Sequence, residues 1–384
     1  MNSRTLNRLV LVWLFIIVTA FSATVDAQTA TRNEIQIPDI PGYLTLKCDF
    51  HIHTVFSDGN VWPPIRPQEA WTEGLDAIAI TDHIEYQPHE DDIPTNFNRS
   101  HELAKPFGDA VSLPVIRGAE ITRDEPPGHL NAIFLQDINP LDTENYMDAV
   151  RAAVEQGGLV FWNHPGWKQT NRKSVWYDTQ EAMSQEGLLQ GIEVVNGSTY
   201  YPNAHQWCLD KGLTMFGDSD IHNPIGMNYD FAAGEHRTMT LVFARDRSPE
   251  AIKQALQNQR TAIYWRNTLI GEEKYLRPIF DRSVTLRSTT VTLEGTDRSY
   301  VQITNHSDVP FELAAGGTVE NIRAPSNVTL QAGKTVIMAL SATSENLSGK
   351  RKVSLPFEVT NLLIAPNKGL PVPIDLNVRF VPEN

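Results

Sequence analysis

Short apolar runs alternate with amphipathic segments along residues 44–258, a rhythm that is typical of repeated βα units. The apolar runs predict seven strands, at residues 44–50, 77–80, 114–119, 130–135, 159–162, 192–195 and 214–217. Apolar positions at helical spacing predict amphipathic helices over residues 144–155 and 249–256. The pattern therefore predicts an α/β protein with a mostly parallel sheet and helices outside it.

The pattern changes after about residue 273, where short alternating stretches are separated by Gly, Pro, Asn and Ser. These stretches lie at residues 291–293, 300–303, 336–340, 353–359 and 374–380. Such alternation predicts a small antiparallel β-sandwich domain. We therefore predict two domains, at residues 44–274 and 275–384. We interpret the second as a stability or dimerisation element rather than a carbohydrate-binding module.

The first 27 residues have the features of a secretory signal peptide. Arg4 and Arg8 precede an apolar run over residues 9–21, and residues 25–27 offer the small side chains that a signal peptidase requires. A membrane anchor is the alternative, but this run is shorter than the roughly 20 residues that span a bilayer. We predict a cleaved signal at residues 1–27, a lead-in segment at residues 28–43, and a periplasmic or secreted mature protein without a membrane anchor.

Charge and cysteine content narrow the classes of partner. The formal net charge is −14, and removal of a signal of net charge +1 takes it to about −15. Such a charge argues against nucleic acid or an anionic membrane as partner. The two cysteines, Cys48 and Cys208, lie in apolar or helical contexts, which predicts buried free thiols rather than a disulfide. A homo-oligomer is compatible with the sequence.

Side chains that can bind metal ions cluster where the predicted strands end. Six of the eleven histidines and three carboxylates form this set. They are His51, His53, Asp58, His83, Glu120, His129, His164, Asp220 and His222. All but His129, which opens its strand, follow an apolar run. A parallel barrel gathers its catalytic side chains at this end of the strands, and a doubly wound sheet would do the same, so the barrel is a preference.

The spacing within the clusters suits metal binding. Residues two apart in a strand point the same way, so His51 and His53 can approach one cation together. A loop then returns Asp58 to the same strand end, and Asp220 and His222 repeat the alternate spacing. Each cluster alone could be a buried histidine or an ion pair, but their convergence points to a hydrolytic centre with several metal ions.

These clusters resemble those of the polymerase and histidinol phosphatase (PHP) family within the amidohydrolase superfamily. The resemblance covers about residues 44–258, and all nine metal-binding positions of the trinuclear members find a match. It implies a distorted (β/α)7 TIM-like barrel that holds three divalent ions. Manganese is the preferred metal, and zinc and iron are the alternatives. The signal, the all-β tail and residues 237–243 are most similar to secreted bacterial phosphodiesterases, some of which act on organophosphate diesters.

The resemblance also implies how the nine ligands divide among three ions. The first ion has the ligands His51, His53, Glu120 and Asp220. Glu120 bridges to the second ion, whose other ligands are His129 and His164. The third ion has the ligands Asp58, His83 and His222, and the family accepts either Asp or His at the position of Asp58.

Such a centre implies attack on phosphorus by a hydroxide that bridges two ions, with Glu120 and Asp220 as ligands of those ions. Further candidates assist this chemistry. Those predicted to orient the phosphate are Arg117, Lys168 and Arg237, and those predicted to line an ester pocket are Tyr200 and Tyr201. Asp82 and Asp218 are predicted to accept hydrogen bonds that fix ligand imidazoles.

Three functions follow from this set of residues. The preferred one is a metal-dependent phosphodiesterase acting on a small-molecule phosphate diester. A phosphomonoesterase of the histidinol phosphatase type is the alternative, although an export signal does not suit a cytosolic biosynthetic enzyme. A metal-dependent scaffold or binding module without catalysis is the third, and the complete ligand set argues against it.

Overall fold

The computed structural model describes residues 29–93 and 96–383, so the predicted signal at residues 1–27 lies outside the described residues. Seven α-helices lie in the described part of the chain. They are α1 (Ile65–Glu73), α2 (Arg99–Ala110), α3 (Tyr146–Glu155), α4 (Asp178–Gln185), α5 (Pro202–Lys211), α6 (Pro249–Gln257) and α7 (Glu273–Ser283). None of the helices in these residues is both long and apolar enough to cross a membrane.

The strands fall into two groups along the chain. The first group lies in residues 44–271, named here the α/β region, and comprises β1 (Leu44–Asp49), β2 (Ala77–Ile80), β3 (Val115–Ile121), β4 (Leu130–Ile133), β5 (Leu159–Trp162), β6 (Gly191–Asn196), β7 (Thr199–Tyr200), β8 (Thr214–Asp218), β9 (Met239–Ala244), β10 (Thr261–Trp265) and β11 (Thr268–Gly271). The second group lies in residues 284–381, named the C-terminal β region, and comprises β12 (Val284–Leu286), β13 (Thr290–Glu294), β14 (Ser299–Asn305), β15 (Phe311–Ala315), β16 (Ile322–Arg323), β17 (Asn327–Leu330), β18 (Thr335–Ala342), β19 (Gly349–Ala365) and β20 (Lys368–Val381).

The sheet of the α/β region is mixed, whereas the sequence pattern predicted a mostly parallel one. Its order is β11-β10-β9-β1-β2-β3-β4-β5-β6-β8, with the short β7 also paired to β6. The pairs β1/β2, β2/β3, β5/β6 and β6/β8 are parallel. Strands β4 and β9 run antiparallel to both of their neighbours. Strand β8 also contacts β9, through hydrogen bonds of Gly217 with the Thr240 hydroxyl.

The reversed direction of β4 follows from its short connection. Only residues 122–129 separate β3 from β4, which is too short for the helical crossover that a parallel pair requires. Because β4 runs the opposite way, its first residues lie at the same sheet edge as the last residues of β3 and β5. His129 precedes its strand, whereas the other predicted ligands lie at or after the ends of theirs. Because β4 is antiparallel, His129 nevertheless lies at the same sheet edge as the other ligands.

Helices cover the sheet through apolar faces, and α6 illustrates how the sequence specifies them. The Ser248 hydroxyl accepts a hydrogen bond from the backbone N–H of Ala251 at 3.2 Å, and Pro249 occupies the first helical turn. Ile252 and Leu256 are fully buried and pack with strands β1 and β9. Burial of such a side chain stabilises the fold by about 1.5–3 kcal/mol.

The C-terminal β region contains two sheets around a shared apolar core. Strands β12, β14, β18 and β16 form one sheet, and β13, β20, β19, β15 and β17 belong to the other. Most pairs are antiparallel as predicted, but β13 pairs with β20 in parallel. Strand β19 also pairs in parallel with β11, so one sheet runs from the α/β region into the C-terminal β region.

Helix α7 and the outer faces of β9 and β10 complete the same core. Leu276 and Phe280 of α7 pack in one cluster with Leu241 of β9, with Phe311 of β15 and with Val359 of β19. The α/β region and the C-terminal β region therefore share apolar packing as well as a sheet. Cys48 and Cys208 are both buried and unbridged, in agreement with the prediction from their sequence contexts.

Candidate metal centre

The chain segment after β1 carries the first two predicted ligands. It continues extended beyond Asp49 and pairs with the segment after β8, because the His53 N–H donates to the Ile221 carbonyl at 3.1 Å and the Asp220 N–H donates to the His51 carbonyl at 3.0 Å. His51 and His53 lie two residues apart on this extended segment and are both completely buried. The two segments therefore present their side chains to one point at the sheet edge.

Four side-chain atoms converge at this point with the spacing of a coordination shell. His51 Nε2 lies 3.0 Å from His53 Nε2, 3.2 Å from Glu120 Oε2 and 3.2 Å from Asp220 Oδ1. His53 Nε2 lies 3.3 Å from Glu120 Oε2 and 3.1 Å from Asp220 Oδ1. Ligands about 2.1 Å from a tetrahedral ion lie roughly 3.4 Å from one another. Five of the six separations among these four atoms are thus close to the edges of such a tetrahedron.

Glu120 joins this set to the neighbouring imidazoles. Its Oε2 lies 3.0 Å from His83 Nδ1, while its Oε1 lies 2.8 Å from His129 Nδ1 and 3.5 Å from His164 Nε2. The Asn163 amide donates a hydrogen bond to Oε1 at 2.9 Å, which fixes the plane of the carboxylate. Glu120 is therefore placed to share its two oxygens between two cations.

Asp58 gathers another group of donors. Its Oδ1 lies 3.1 Å from His222 Nε2, 3.5 Å from His83 Nε2 and 3.8 Å from His53 Nδ1. This oxygen is buried and has no hydrogen-bond partner among the described residues, which is the environment of an acceptor that needs a cation. The turn that carries Asp58 packs tightly on His53, since a Cβ at Gly59 would lie 2.8 Å from the His53 carbonyl carbon.

All nine predicted ligands occur in four overlapping groups of donors whose atoms lie within 4.8 Å of one another. These groups are His53, Asp58, His83 and His222; His51, His53 and Glu120; His51, His164 and Asp220; and His83, Glu120 and His129. They depart from the predicted division among three ions, because His53 also groups with the predicted ligands of the third ion and His83 also groups with Glu120 and His129. His164 groups with His51 and Asp220 as well as approaching Glu120.

The electrostatics of the site favour cations. Burial acts to raise the pKa of Glu120 and Asp220, but the facing imidazoles outweigh it and hold both pKa values well below their usual range. Burial acts to lower the pKa of His53, yet the carboxylates of Asp220 and Glu120 raise it to about 9. The same negative charge would attract divalent ions, which bind by displacing protons from imidazoles.

Two of the ligands sit on strained backbone. His164 has φ +26° and Asp220 has φ +52°, in the left-handed region that residues other than glycine rarely adopt. Hydrogen bonds hold both residues there: the His164 N–H donates to Glu193 Oε2 at 2.6 Å, and the Asp220 N–H donates to the His51 carbonyl. Such strain is concentrated at functional sites, where the surrounding structure maintains it.

Glu193 is a site residue that the sequence reasoning missed. Its Oε1 lies 2.7 Å from His51 Nδ1, and its Oε2 accepts hydrogen bonds from the His164 N–H and the Asn196 amide. A proton on His51 Nδ1 leaves Nε2 free to face the other donors. The available signal was a glutamate inside the apolar run of β6, because an unpaired carboxylate is almost never buried.

Replacement of Glu193 by glutamine tests this role. Loss of the carboxylate charge makes the His51 imidazole a weaker ligand, so we expect the affinity for divalent ions to fall roughly 10- to 100-fold. Competition with a chromophoric chelator measures the affinity. Glu358→Gln is the matched control, because Glu358 accepts a backbone hydrogen bond in the C-terminal β region. Equal affinities for the two variants would contradict the role.

Arg66 holds the ligand segments together, a role that no sequence pattern predicted. The guanidinium is completely buried between the segments after β1 and β8. It donates to the backbone carbonyls of His53, Ile221, His222 and Asn223 at 2.8–3.2 Å, and also to Glu69. All its N–H groups are engaged, so one side chain fixes the positions of two candidate ligands.

Asp82 and Asp218 accept hydrogen bonds from backbone and hydroxyl groups around the ligands rather than from ligand imidazoles, contrary to the prediction. Asp82 accepts from the Thr54 N–H and hydroxyl and from the Ser57 hydroxyl, at 2.6–2.8 Å. Asp218 accepts from the Phe50 N–H at 2.9 Å. Neither makes a hydrogen bond to a ligand imidazole among the bonds of the described residues. They instead stabilise the chain on either side of His51 and His53.

Both arginines that were predicted to bind phosphate point away from the metal ligands. Arg237 is completely buried and pairs with Asp49 at 2.9 Å and with Glu73 at 2.5 Å, so a substrate cannot reach it. Arg117 lies three positions before Glu120 on β3 and therefore faces the opposite side of the sheet. Its guanidinium donates to His101 and to the Gln136 carbonyl. We therefore assign both arginines to structure rather than to substrate.

The remaining candidates differ in their position. Lys168 is half exposed and lines a cavity together with His129 and His164, so it lies beside the ligands. Tyr200 is part-buried, and its hydroxyl bonds to His205 Nδ1 at 2.9 Å. Tyr201 is buried in the core, where burial raises the pKa of its hydroxyl. Of the five predicted substrate-binding residues, Lys168 alone has a solvent-exposed side chain beside the candidate ligands.

Buried imidazoles and carboxylates at one edge of a mixed α/β sheet define a candidate metal-dependent enzyme. A solved two-domain structure from Bacteroides vulgatus, described as containing a predicted PHP-like metal-dependent phosphoesterase, is 46% identical to this chain. The similarity covers 91% of this chain and 100% of that chain, with a TM-score of 0.86. The chain therefore belongs to the PHP-like family.

Two further comparisons concern parts of the chain. A family model described as an Ig-like domain matches residues 284–375, which lie in the C-terminal β region. An uncharacterized protein of Methanocaldococcus jannaschii is 37% identical over 81 residues, which span 21% of this chain and 36% of the archaeal protein. The chain thus combines a PHP-like α/β region with a C-terminal Ig-like one.

Proposed function

We propose that this protein is an exported phosphodiesterase that uses three divalent ions to hydrolyse small-molecule phosphate diesters. Manganese is the preferred metal. The observation that carries the proposal is the set of nine converging ligands, with four atoms at tetrahedral spacing and Glu120 shared between two groups. The likeness to the Bacteroides vulgatus protein supports phosphoester chemistry. The signal-like residues 1–27 support export to the periplasm or beyond.

The residues present fit such ions in number and chemistry. Mixed imidazole and carboxylate donors suit manganese, iron and zinc alike, and Asp58 Oδ1 is a buried acceptor without a hydrogen-bond partner among the described residues. Bound divalent ions would lower the pKa of water and neutralise charge on the phosphoryl oxygens. The chain itself supplies orientation: Glu193 and Asn163 fix the ligands, and Lys168 offers a positive charge to the substrate anion.

Comparison of a diester with a monoester tests the proposal. We expect protein loaded with Mn²⁺ to hydrolyse bis(p-nitrophenyl) phosphate with a kcat/KM at least roughly tenfold above that for p-nitrophenyl phosphate, a difference of about 1.4 kcal/mol. Treatment with a chelator should abolish turnover, and Mn²⁺ should restore it. Release of p-nitrophenolate measures the turnover of both esters before chelation, after chelation and after Mn²⁺ is restored.

The alternatives predict other outcomes. A higher kcat/KM for the monoester would replace the diesterase by a phosphomonoesterase. Binding of metal without turnover of either ester would instead favour a scaffold or binding module. The exposed Glu155 provides a control for handling, since Glu155→Gln should leave metal content and both activities unchanged.

A further inference from the structure

Most of the large apolar side chains that remain exposed lie in chain segments that follow the strands ending at the candidate metal centre. Nine such residues occur among the described residues, and seven of them follow strands β1, β2, β5 or β8, as the metal ligands do. These seven are Trp62, Ile65, Tyr86, Trp167, Val175, Met227 and Phe231. Exposed apolar surface that gathers at one place marks a site of interaction.

Trp167 is the exposed ring in closest association with the ligands. Its side chain is 54% exposed, yet the ring centroid lies 5.4 Å from those of both His129 and His164. The Trp167 N–H donates to the His164 carbonyl at 2.9 Å, so the turn that carries the ligand also fixes the tryptophan. A large apolar surface is thus held in water directly beside two candidate ligands.

Tyr86 is a second exposed ring beside a ligand, and it contacts His83 as Trp167 contacts His129 and His164. Its side chain is 51% exposed, and its ring centroid lies 5.9 Å from that of His83. His83 and His129 lie 5.7 Å apart, so Trp167, His129, His83 and Tyr86 form a continuous row of four rings. Two ligand imidazoles form the middle of the row, and an exposed aromatic ring stands at each end.

A positive charge adjoins the tryptophan end of the row. Lys168 Nζ lies 4.9 Å from the Trp167 ring centroid and 3.5 Å from the carboxylate of the exposed Asp124. Lys168 is itself half exposed and can turn toward an anion. A planar apolar surface, a cation and metal ligands are therefore available within the length of one small molecule.

We propose that Trp167 and Tyr86 form an aromatic subsite that selects phosphate esters with a planar aromatic ester group. This inference rests on the proposed function, and it adds a substrate class to it. The phosphate faces the ligands while the aromatic group packs on Trp167, with Tyr86 available to a second group across the row. The direct contacts of both rings with ligand imidazoles favour a small substrate over a protein or lipid surface.

Binding of two phosphonates tests the subsite without relying on turnover. Phenylphosphonate and methylphosphonate share the anion and differ in the ring. By calorimetry on the Mn²⁺-loaded protein we expect phenylphosphonate to bind roughly 2- to 12-fold tighter, the range for one aromatic pair. Trp167→Ala should remove this preference and leave the dissociation constant of methylphosphonate within about twofold, while Trp167→Phe should retain it.

Control variants and outcomes separate the subsite from the proposed function. Tyr300→Ala removes an equally exposed ring in the C-terminal β region and should not change either dissociation constant. Diester hydrolysis with equal binding of the two phosphonates would overturn the subsite alone. Absence of phosphonate binding together with absence of hydrolysis would overturn both. A preference that persists in both Trp167→Ala and Tyr86→Ala would also overturn the assignment to these rings.

Discussion

Replacement of Glu120 by glutamine is expected to lower kcat/KM for a phosphate diester by at least roughly 10³-fold and to reduce the number of bound divalent ions. The side chain is completely buried and lies within 3.5 Å of five imidazoles. Glutamine has the same shape but no charge, and its amide group would face nitrogen atoms that must act as ligands. Two groups of donors would therefore lose their shared anion at once.

Metal content and turnover must be measured on the same preparation of this variant. Elemental analysis gives the ions per chain, p-nitrophenolate release gives kcat/KM, and circular dichroism verifies that the variant is folded. Glu155→Gln is the control, because Glu155 is exposed at the end of α3. A Glu120→Gln protein with a full complement of ions and activity within tenfold of the parent would refute the bridging role.

Replacement of Arg237 by methionine is expected to reduce the free energy of unfolding by about 3–5 kcal/mol. Arg237 donates to both oxygens of Glu73 and to Asp49, and its side chain is almost completely buried. Burial acts to lower its pKa, but Glu73 and Asp49 outweigh this and raise it. Methionine would leave two buried carboxylates without their cation.

A surface arginine supplies the comparison for this variant. Arg99 pairs with Glu102 at 3.1 Å, and both side chains are close to half exposed. Arg99→Met should change the unfolding free energy by less than about 1 kcal/mol, since an exposed pair contributes little. Urea denaturation measures both variants. If Arg237→Met were as stable as the parent and instead raised KM for the diester, Arg237 would be a substrate ligand as first predicted.

The sequence was informative about the ligands because they lie where apolar runs end. The strands that contain Glu120 or directly precede His51 and Asp220 were recognisable from their composition, and strand ends meet at one edge of a sheet. Strand direction was less accessible, since an apolar run reads the same both ways. The antiparallel β4 could still have been inferred from the short connection over residues 122–129.

The roles of the arginines and of the supporting carboxylates could not be predicted from the sequence in the same way. Arg117 was a plausible phosphate ligand by proximity in sequence to Glu120, but alternation along β3 turns it to the other face. Arg66 and Arg237 act on segments more than 150 positions away in the chain. No local pattern predicts such contacts, because they depend on how the completed sheet brings distant segments together.

The pairing of β11 with β19 limits how this protein can be divided. Leu269 and Ile270 pair with Leu362 and Leu363, and helix α7 packs in the same apolar cluster as strands from both regions. Truncation before residue 284 would leave β11 as an open sheet edge and expose the apolar face of α7, which are conditions that promote aggregation. The α/β region therefore depends on the Ig-like region to cover its sheet edge and the apolar face of α7, so we expect the two regions to unfold together.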